Sequence, residues 1–402
     1  MLIYGINLTL ALGLGILLCE FRPNQRKKIA YLAAAFGFMW FLGTFRDGTG
    51  YDYESYINIF SDCIAFSWGE MFERVNFEPG FLILTKLMTY FVDNSILMYG
   101  IYTALILVPV AVFLYRYSDN LWLSTYLFIA LTFFATSMNF IRQSIAASIV
   151  LWCYPFLKRK KIVPYLFVVL LASLFHRTAL IMIPVYFFAQ LRLSKGLLAF
   201  YGVSVGVVYL FSEQILSLVT KLAASGYEGT IYLEEGLEPL HVVIPALVFA
   251  FLMMMRKSMA ERFDERDAIL LTNLALFAMV IYLFITKHFI LERFSIYVNQ
   301  FVMISLPMAC ACFKPAPGLI EYRDSLADEI ERSKGGEGKN LALKFRECQK
   351  QISAAFSTYY GAAALCVAGT IWYYLFGLTD GERGFHGIVP YLSVFDWISQ
   401  LP

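Results

Sequence analysis

The sequence predicts an all-α, polytopic membrane protein, and three observations lead there. Of its 402 residues 59% are hydrophobic and only 15% charged, with a mean hydropathy of +0.64. Too few charged groups remain to coat a water-facing surface. Apolar stretches near the ~20 residues that cross a bilayer core recur along nearly the whole chain. Lysines and arginines collect in alternate connections, as cytoplasmic loops require. A net charge of only +2 creates no field that would attract nucleic acid.

Taken in order, spans are expected near 2–18, 29–45, 96–115, 120–136, 141–157, 162–175, 178–191, 196–212, 241–256, 268–286, 295–313 and 355–376, about twelve crossings. The first lacks a basic leader, so it reads as a retained helix and not a cleaved signal. Most of the 32 basic residues fall on one side if both termini lie outside. Segment 79–92 is apolar but short. A full crossing there would turn the basic run Lys158-Arg159-Lys160-Lys161 outward, so it reads as a re-entrant or half-membrane helix paired with amphipathic 53–72. The chain forms one domain, 1–402, with outer loops at 46–78 and 213–240. A charged cytoplasmic insert at 314–354 reads as helix, turn at Gly335-Gly336-Glu337-Gly338, helix; an outer segment follows at 377–402. The seven cysteines show no disulfide or zinc spacing and read as core filler.

One hairpin organises the chemistry. An apolar helix from Ile141 reaches the basic turn at 158–161, and a second returns from Ile162. At ~1.5 Å per residue each arm covers roughly 20–25 Å. The return therefore brings His176 and Arg177 level with Arg142 and Gln143, at the surface opposite the basic turn. Polar groups at such depth are expensive and usually face a protein interior.

Several basic residues escape the positive-inside pattern: Arg46, Arg74, Lys86, Arg142, Arg177, Lys221, Lys287, Arg293 and Arg383. Arg46, Arg142, Arg177 and Arg293 all fall at outer helix ends. Arginine keeps its charge and offers a planar fork suited to phosphate oxygens; the plainer reading is that each snorkels to lipid headgroups. Asp47, Asp52, Glu78 and Glu292 accompany them, ordinarily as ion-pair partners. His176, with an unperturbed pKa near working pH, is the best general base, followed by Asp52 or Glu78; a histidine that merely caps a helix end is the plainer account. His288 is a second choice, and His241 and His386 have no supporting context. Outer aromatic residues, among them Tyr51, Tyr53, Tyr56, Trp68, Tyr227, Tyr232, Tyr297 and Tyr391, form an interface belt or line a sugar-binding groove. No Walker loop, GxSxG, HExxH or acidic metal cluster is present, so no metal or cofactor is expected.

The sequence resembles the EpsG-like group of bacterial Wzy-type polysaccharide polymerases. The resemblance rests on Phe45-Arg46-Asp47-Gly48-Thr49-Gly50-Tyr51-Asp52-Tyr53 with Tyr56, on Phe77-Glu78-Pro79-Gly80, and on Asn139-Phe140-Ile141-Arg142-Gln143-Ser144-Ile145-Ala146. It continues in Phe175-His176-Arg177-Thr178-Ala179-Leu180, in the stretch from Arg293 to Tyr297, and in Val389-Pro390-Tyr391. Its implications are a GT-C-like helical fold with the active cavity on the outer face of the bacterial inner membrane. The implied reaction moves a glycan from undecaprenyl diphosphate onto the terminal sugar hydroxyl of a new lipid-linked repeat unit, as in O-antigen or exopolysaccharide synthesis. Arg142, Arg177, Arg293 and Arg46 would then hold the diphosphate, His176 or else Asp52 or Glu78 would take the proton, and Gln143, Tyr56, Tyr297 and Tyr391 would orient sugars. Membrane lipid, a flippase and a chain-length regulator would be its partners. The rivals are a flippase for lipid-linked oligosaccharide, an O-antigen ligase or other polyprenyl-dependent glycosyltransferase, and a structural component of an export complex. The insert at 314–354 is longer than such proteins usually carry.

Overall fold

Helix is the only regular structure among the described residues of this computed structural model, which are 2–21, 23–214, 239–332, 337–379 and 385–395. Five helices are long and apolar enough to cross a membrane, or seven if two bent pairs each count as one span. The chain is thus a polytopic, all-helical membrane protein. The expected outer loop at 213–240, with Lys221, Tyr227 and Tyr232, lies almost entirely outside the described residues, as do Gly335, Gly336 and Arg383.

The N-terminal half begins with α1 (Leu2–Cys19) and α2 (Gln25–Thr44), the latter started by Asn24, whose side chain accepts from the Lys27 amide. Then come α3 (Tyr53–Ala65), α4 (Trp68–Arg74), α5 (Pro79–Met88) and α6 (Ser95–Tyr117). At ten residues α5 covers only ~15 Å, half a bilayer core. It packs on α3 in a core of its own that includes Tyr56, Ile59, Phe81 and Leu82. Lys86 explains its escape from the charge pattern here: its ammonium donates to the carbonyls of Cys63 (2.6 Å) and Phe66 (2.7 Å), closing the carboxyl end of α3.

The expected span at 120–136 is two helices, α7 (Leu121–Ala130) and α8 (Phe133–Asn139), bent by 46° at Thr132, whose φ is +61°. Next, α9 (Ile141–Val150) runs through a short 3-10 turn into α10 (Tyr154–Lys158), and α11 (Ile162–Ser173) returns. The basic turn is anchored: Lys158 pairs with Asp267 at 2.6 Å and Asp264 at 3.3 Å. A 3-10 turn (Arg177–Ile181), α12 (Met182–Phe188) and α13 (Lys195–Leu210) follow.

In the C-terminal half α14 (Val243–Arg262) packs along α15 (Glu265–Ile285). The expected span at 295–313 is again broken, into α16 (Glu292–Asn299) and α17 (Val302–Ala311), bent by 48°. Gln300 spans the break and donates to the Ala147 carbonyl of α9 at 3.0 Å. Finally α18 (Pro317–Arg332) packs on the first turns of α19 (Glu337–Thr379) through Leu326, Cys348 and Ile352. The charged insert and the last expected span are therefore one 43-residue helix on their common side, because no proline interrupts 337–379. All seven cysteines are free thiols.

A short strap, 385–395, lies across the start of the 46–51 loop. Tyr4 donates to the Ile388 carbonyl (2.5 Å), Thr49 to Leu392 O (3.1 Å), the Gly50 amide to Gly387 O (3.0 Å) and Tyr391 to Leu42 O (2.8 Å). Gly387 has φ +71°, and a Cβ there would lie 2.9 Å from the Tyr51 ring, so only glycine fits.

A second close approach fixes α5. The Gly80 amide donates to Leu174 O at 2.9 Å, and a Cβ on Gly80 would sit 2.8 Å from that oxygen. The obstruction is backbone and cannot swing away. We therefore expect Gly80→Ala to destabilise the protein by about 1–3 kcal/mol, read as a lower unfolding temperature in detergent, whereas Gly69→Ala, where a Cβ meets nothing, leaves it unchanged.

Candidate functional site

Glu78 is where three segments meet. It caps α5 without bonding its own helix, so both carboxylate oxygens face outward from the turn. Arg142, in the first turn of α9, donates from Nη1 to Oε2 and lies over the Phe77 ring with its guanidinium carbon 4.2 Å from the centroid. His176 Nδ1 lies 3.0 Å from Oε1, and the Arg177 amide donates to the same oxygen at 3.3 Å. The hairpin arithmetic thus holds: both ends of the 141–176 hairpin bind one carboxylate.

The electrostatics follow. Burial alone would raise the Glu78 carboxyl, but the His176 hydrogen bond and the Arg142 charge overcome it and hold the pKa at about 2. Glu78 is therefore ionised and accepts only, so Nδ1 of His176 donates to it and Nε2 is left clear of the carboxylate. A carboxylate so low and so fully engaged is a weak proton acceptor, which moves Glu78 from candidate base to positioning residue. Nε of Arg142 is enclosed with no hydrogen-bond partner among the described residues.

Asp52 behaves oppositely. It precedes α3, its amide held by Asn139 Oδ1 at 2.9 Å, and burial raises its pKa against the lowering charges of Arg142, Arg293 and His386. The two carboxyls, each within the field of Arg142, are thus shifted in opposite directions, the pattern that separates acid from base roles in a site.

A small cavity of ≈ 40 Å³ opens on the other side of α9. Its polar wall is Gln143, Glu292, Arg293, Thr132 and Thr136; aromatic walls come from Phe140, Tyr282 and Tyr373. Consecutive helical residues point ~100° apart, so Arg142 faces Glu78 while Gln143 faces the cavity and donates to the Arg293 carbonyl at 2.8 Å. Both broken helices line this cavity, through Thr132 and through Glu292 to Ile296. Interrupted helices at membrane depth occur where protein or a cavity covers the freed backbone.

The other expected site residues are placed less centrally. Arg177 contributes its backbone amide, and its side chain is exposed. Arg46 is 2% exposed. Its head lies 4.2 Å over the Tyr99 ring and donates to Gly43 O, within a cage that includes Tyr53, Tyr56 and Tyr391. A diphosphate would meet the Arg46 guanidinium only if that cage opened. Tyr391 donates its hydroxyl to Leu42 O and stands edge-on to Tyr4, so it fastens the strap. Tyr297 is buried and exchanges a hydrogen bond with Thr178 at 3.0 Å, bracing the turn after His176. Tyr56 is buried between the charges of Arg46 and Arg142. His288 meets Ser212 at 3.2 Å and His241 packs on Tyr373 and Phe376.

Sequence reasoning missed Asn139 as the residue that seats Asp52, and it missed His386. The strap carries His386 to 3.6 Å from Glu292, with its ring 4.5 Å from that of Phe140. Asn139 stands in one of the motifs that carry the resemblance; His386 has no local signal in the sequence.

A family model described as EpsG family matches residues 29–316, well over half of the chain. The chain belongs to the EpsG family. The match contains the Glu78 cluster and the cavity's polar wall, and it stops before the strap. The family is associated with glycosyltransferase-like polysaccharide polymerases of the membrane. Neither the curated proteins nor the solved structures compared with this chain give a match.

Two tests follow from the geometry. Glu78→Gln leaves Arg142 enclosed without its counter-charge, so we expect a loss of roughly 3 kcal/mol, with part recovered in Glu78→Gln/Arg142→Met. The pH dependence has a definite sign. A carboxyl depressed from about 4.5 to about 2 lends stability that is fully present above about 4.5 and lost as pH falls toward 2. The gap in unfolding temperature between the wild type and Glu78→Gln should therefore narrow as the pH is lowered from 6 to 3.

Proposed function

We propose that this EpsG-family protein is a polysaccharide polymerase of the Wzy type. It transfers a glycan from undecaprenyl diphosphate onto the terminal sugar hydroxyl of a new lipid-linked repeat unit. The observation that supports this reading best is the Glu78 cluster, in which one ionised carboxylate holds an arginine and a histidine side by side where the two ends of the 141–176 hairpin meet the start of α5.

In the proposed reaction the acceptor oxygen bonds to the donor's anomeric carbon. The carbon–oxygen bond to phosphate breaks, its electron pair stays on the departing diphosphate, and the hydroxyl proton goes to Nε2 of His176, or alternatively to Asp52. Developing charge on the diphosphate is met by Arg142, with the exposed Arg177 and with Arg293. Gln143 and Tyr56 sit beside this space. No metal or other cofactor is assigned a part. We place the site on the outer face of the bacterial inner membrane, in a GT-C-like bundle of about twelve helical crossings with α5 as a half-membrane helix. The reading supports a flippase as supplier of repeat units and a chain-length regulator as a further partner.

The test is made in cells. We expect Arg142→Ala and His176→Ala to lower polymer length and yield by roughly 100-fold or more at equal membrane abundance, and Arg177→Ala by about tenfold. Polymer of normal length from both of the first two variants would remove the assignment. Lipid-linked units trapped on the cytoplasmic face of a deletion strain would point to a flippase instead.

A further inference from the structure

The far end of the 141–176 hairpin, away from the Glu78 cluster, holds a polar pocket of ≈ 240 Å³. It lies among the basic turn after α10, the residues just past α12 and the first turn of α15. Against roughly 30 Å³ for one water in the liquid, that is room for a phosphate and a short polar substituent. Three cations line it, Lys160, Arg192 and Arg266, together with Glu265 and Gln190, over a floor of buried leucines.

Backbone contacts set these groups in place. Lys160 has φ +52° and closes α10: its amide donates to Leu157 O at 3.1 Å, and the Lys161 amide donates to Phe156 O at 2.9 Å. Glycine is the usual residue at such a left-handed closing position, so a lysine there is held against its own preference. Nη1 of Arg266 donates to Lys158 O at 2.7 Å and ties the turn to α15. Asn273 on α15 donates to Ala189 O at 2.7 Å and to Leu191 O at 2.8 Å, which fixes Gln190 and Arg192 at the rim.

The charges are unevenly matched. Arg192 pairs with Glu265 at 3.0 Å, while Lys158, which does not line the pocket, takes Asp264 and Asp267. Among the described residues no carboxylate pairs with Lys160 or Arg266. Two cations thus face one pocket, an arrangement that takes an anion. Exposed apolar surface begins within a few residues of it, with Val163 and Phe167 on α11 and with Phe187 and Leu191 at the end of α12. A ligand with a phosphate at one end and hydrocarbon at the other matches both features, which favours a phospholipid over a free anion.

We propose that this pocket binds the headgroup of an anionic phospholipid, phosphatidylglycerol, with Lys160 and Arg266 meeting its phosphate and Gln190 and Glu265 accepting from its hydroxyls. Gln190 donates its amide nitrogen to Tyr186 O at 2.8 Å, so its oxygen is the acceptor. The inference is independent of the polymerase reading and requires only that the chain spans a membrane.

The experiment places the full-length protein in nanodiscs of phosphatidylcholine mixed with phosphatidylglycerol, and native mass spectrometry counts the lipids it keeps on release. We expect phosphatidylglycerol to be retained in preference to phosphatidylcholine. Lys160→Gly suits the left-handed turn and so preserves the fold; it should lower that retention roughly fivefold, and Arg266→Gln by a similar factor. Lys160→Arg should keep it. Arg159→Ala removes an exposed cation of the same turn that does not line the pocket, and should leave retention unchanged. Undiminished retention in Lys160→Gly, or an equal loss from Arg159→Ala, overturns the site, the latter because surface charge alone would then draw the lipid. Excess inorganic phosphate, compared with sodium chloride at matched ionic strength, should not displace the lipid; displacement would assign the pocket to a soluble anion and overturn the proposal.

Discussion

A carboxylate buried near the end of a membrane hairpin must be satisfied, and Glu78 imposes that condition on the fold around it. An isolated ionised group in a low-dielectric setting is unfavourable by several kcal/mol. Glu78 escapes by collecting a guanidinium from the start of α9 and an imidazole and a backbone amide from the turn after α11. Those turns can converge only because α5 stops at half a bilayer, because Gly80 lets it touch the Leu174 carbonyl, and because α11 returns far enough for His176 to reach back. The arrangement fixes a basic nitrogen and a cation at one place. The structural requirement and the chemical opportunity are the same set of contacts.

The broken helices carry the second half of the site. A straight α7–α8 helix would have no kink at Thr132, and a straight α16–α17 helix would have none at Gln300. Each bend turns a short helix end toward α9 and separates the elements enough to leave the cavity. Gln300, donating to α9, keeps the second bend anchored. Because α9 presents Arg142 to one side and Gln143 to the other, its first turn joins the ionic cluster to the cavity within two residues.

Residue composition and length were enough to read the helical, membrane-spanning class, and the 141–176 hairpin could be placed by arithmetic because helical rise is constant. Local signals could also mark α5 as too short. The breaks could not be read: neither Thr132 nor Gln300 is a glycine or proline, and the bends come from packing on α9. Arg46 reads like Arg142 in sequence, as an arginine at an outer helix end, yet one is caged by tyrosines and the other faces a carboxylate. His386 was out of reach for a related reason. Its position depends on hydrogen bonds between residues more than 300 apart, such as Tyr4 to Ile388 and Thr49 to Leu392, and no periodicity records those.

The most direct test of the central claim is a count of product per bond made. The purified protein, reconstituted in vesicles with lipid-linked repeat units, would be followed by mass spectrometry of both glycan and lipid. The account predicts that each added repeat releases one undecaprenyl diphosphate, with the new unit at the lipid-bearing end of the chain. Lipid-linked units that cross the bilayer unchanged, with no diphosphate released and no longer chain formed, would contradict it.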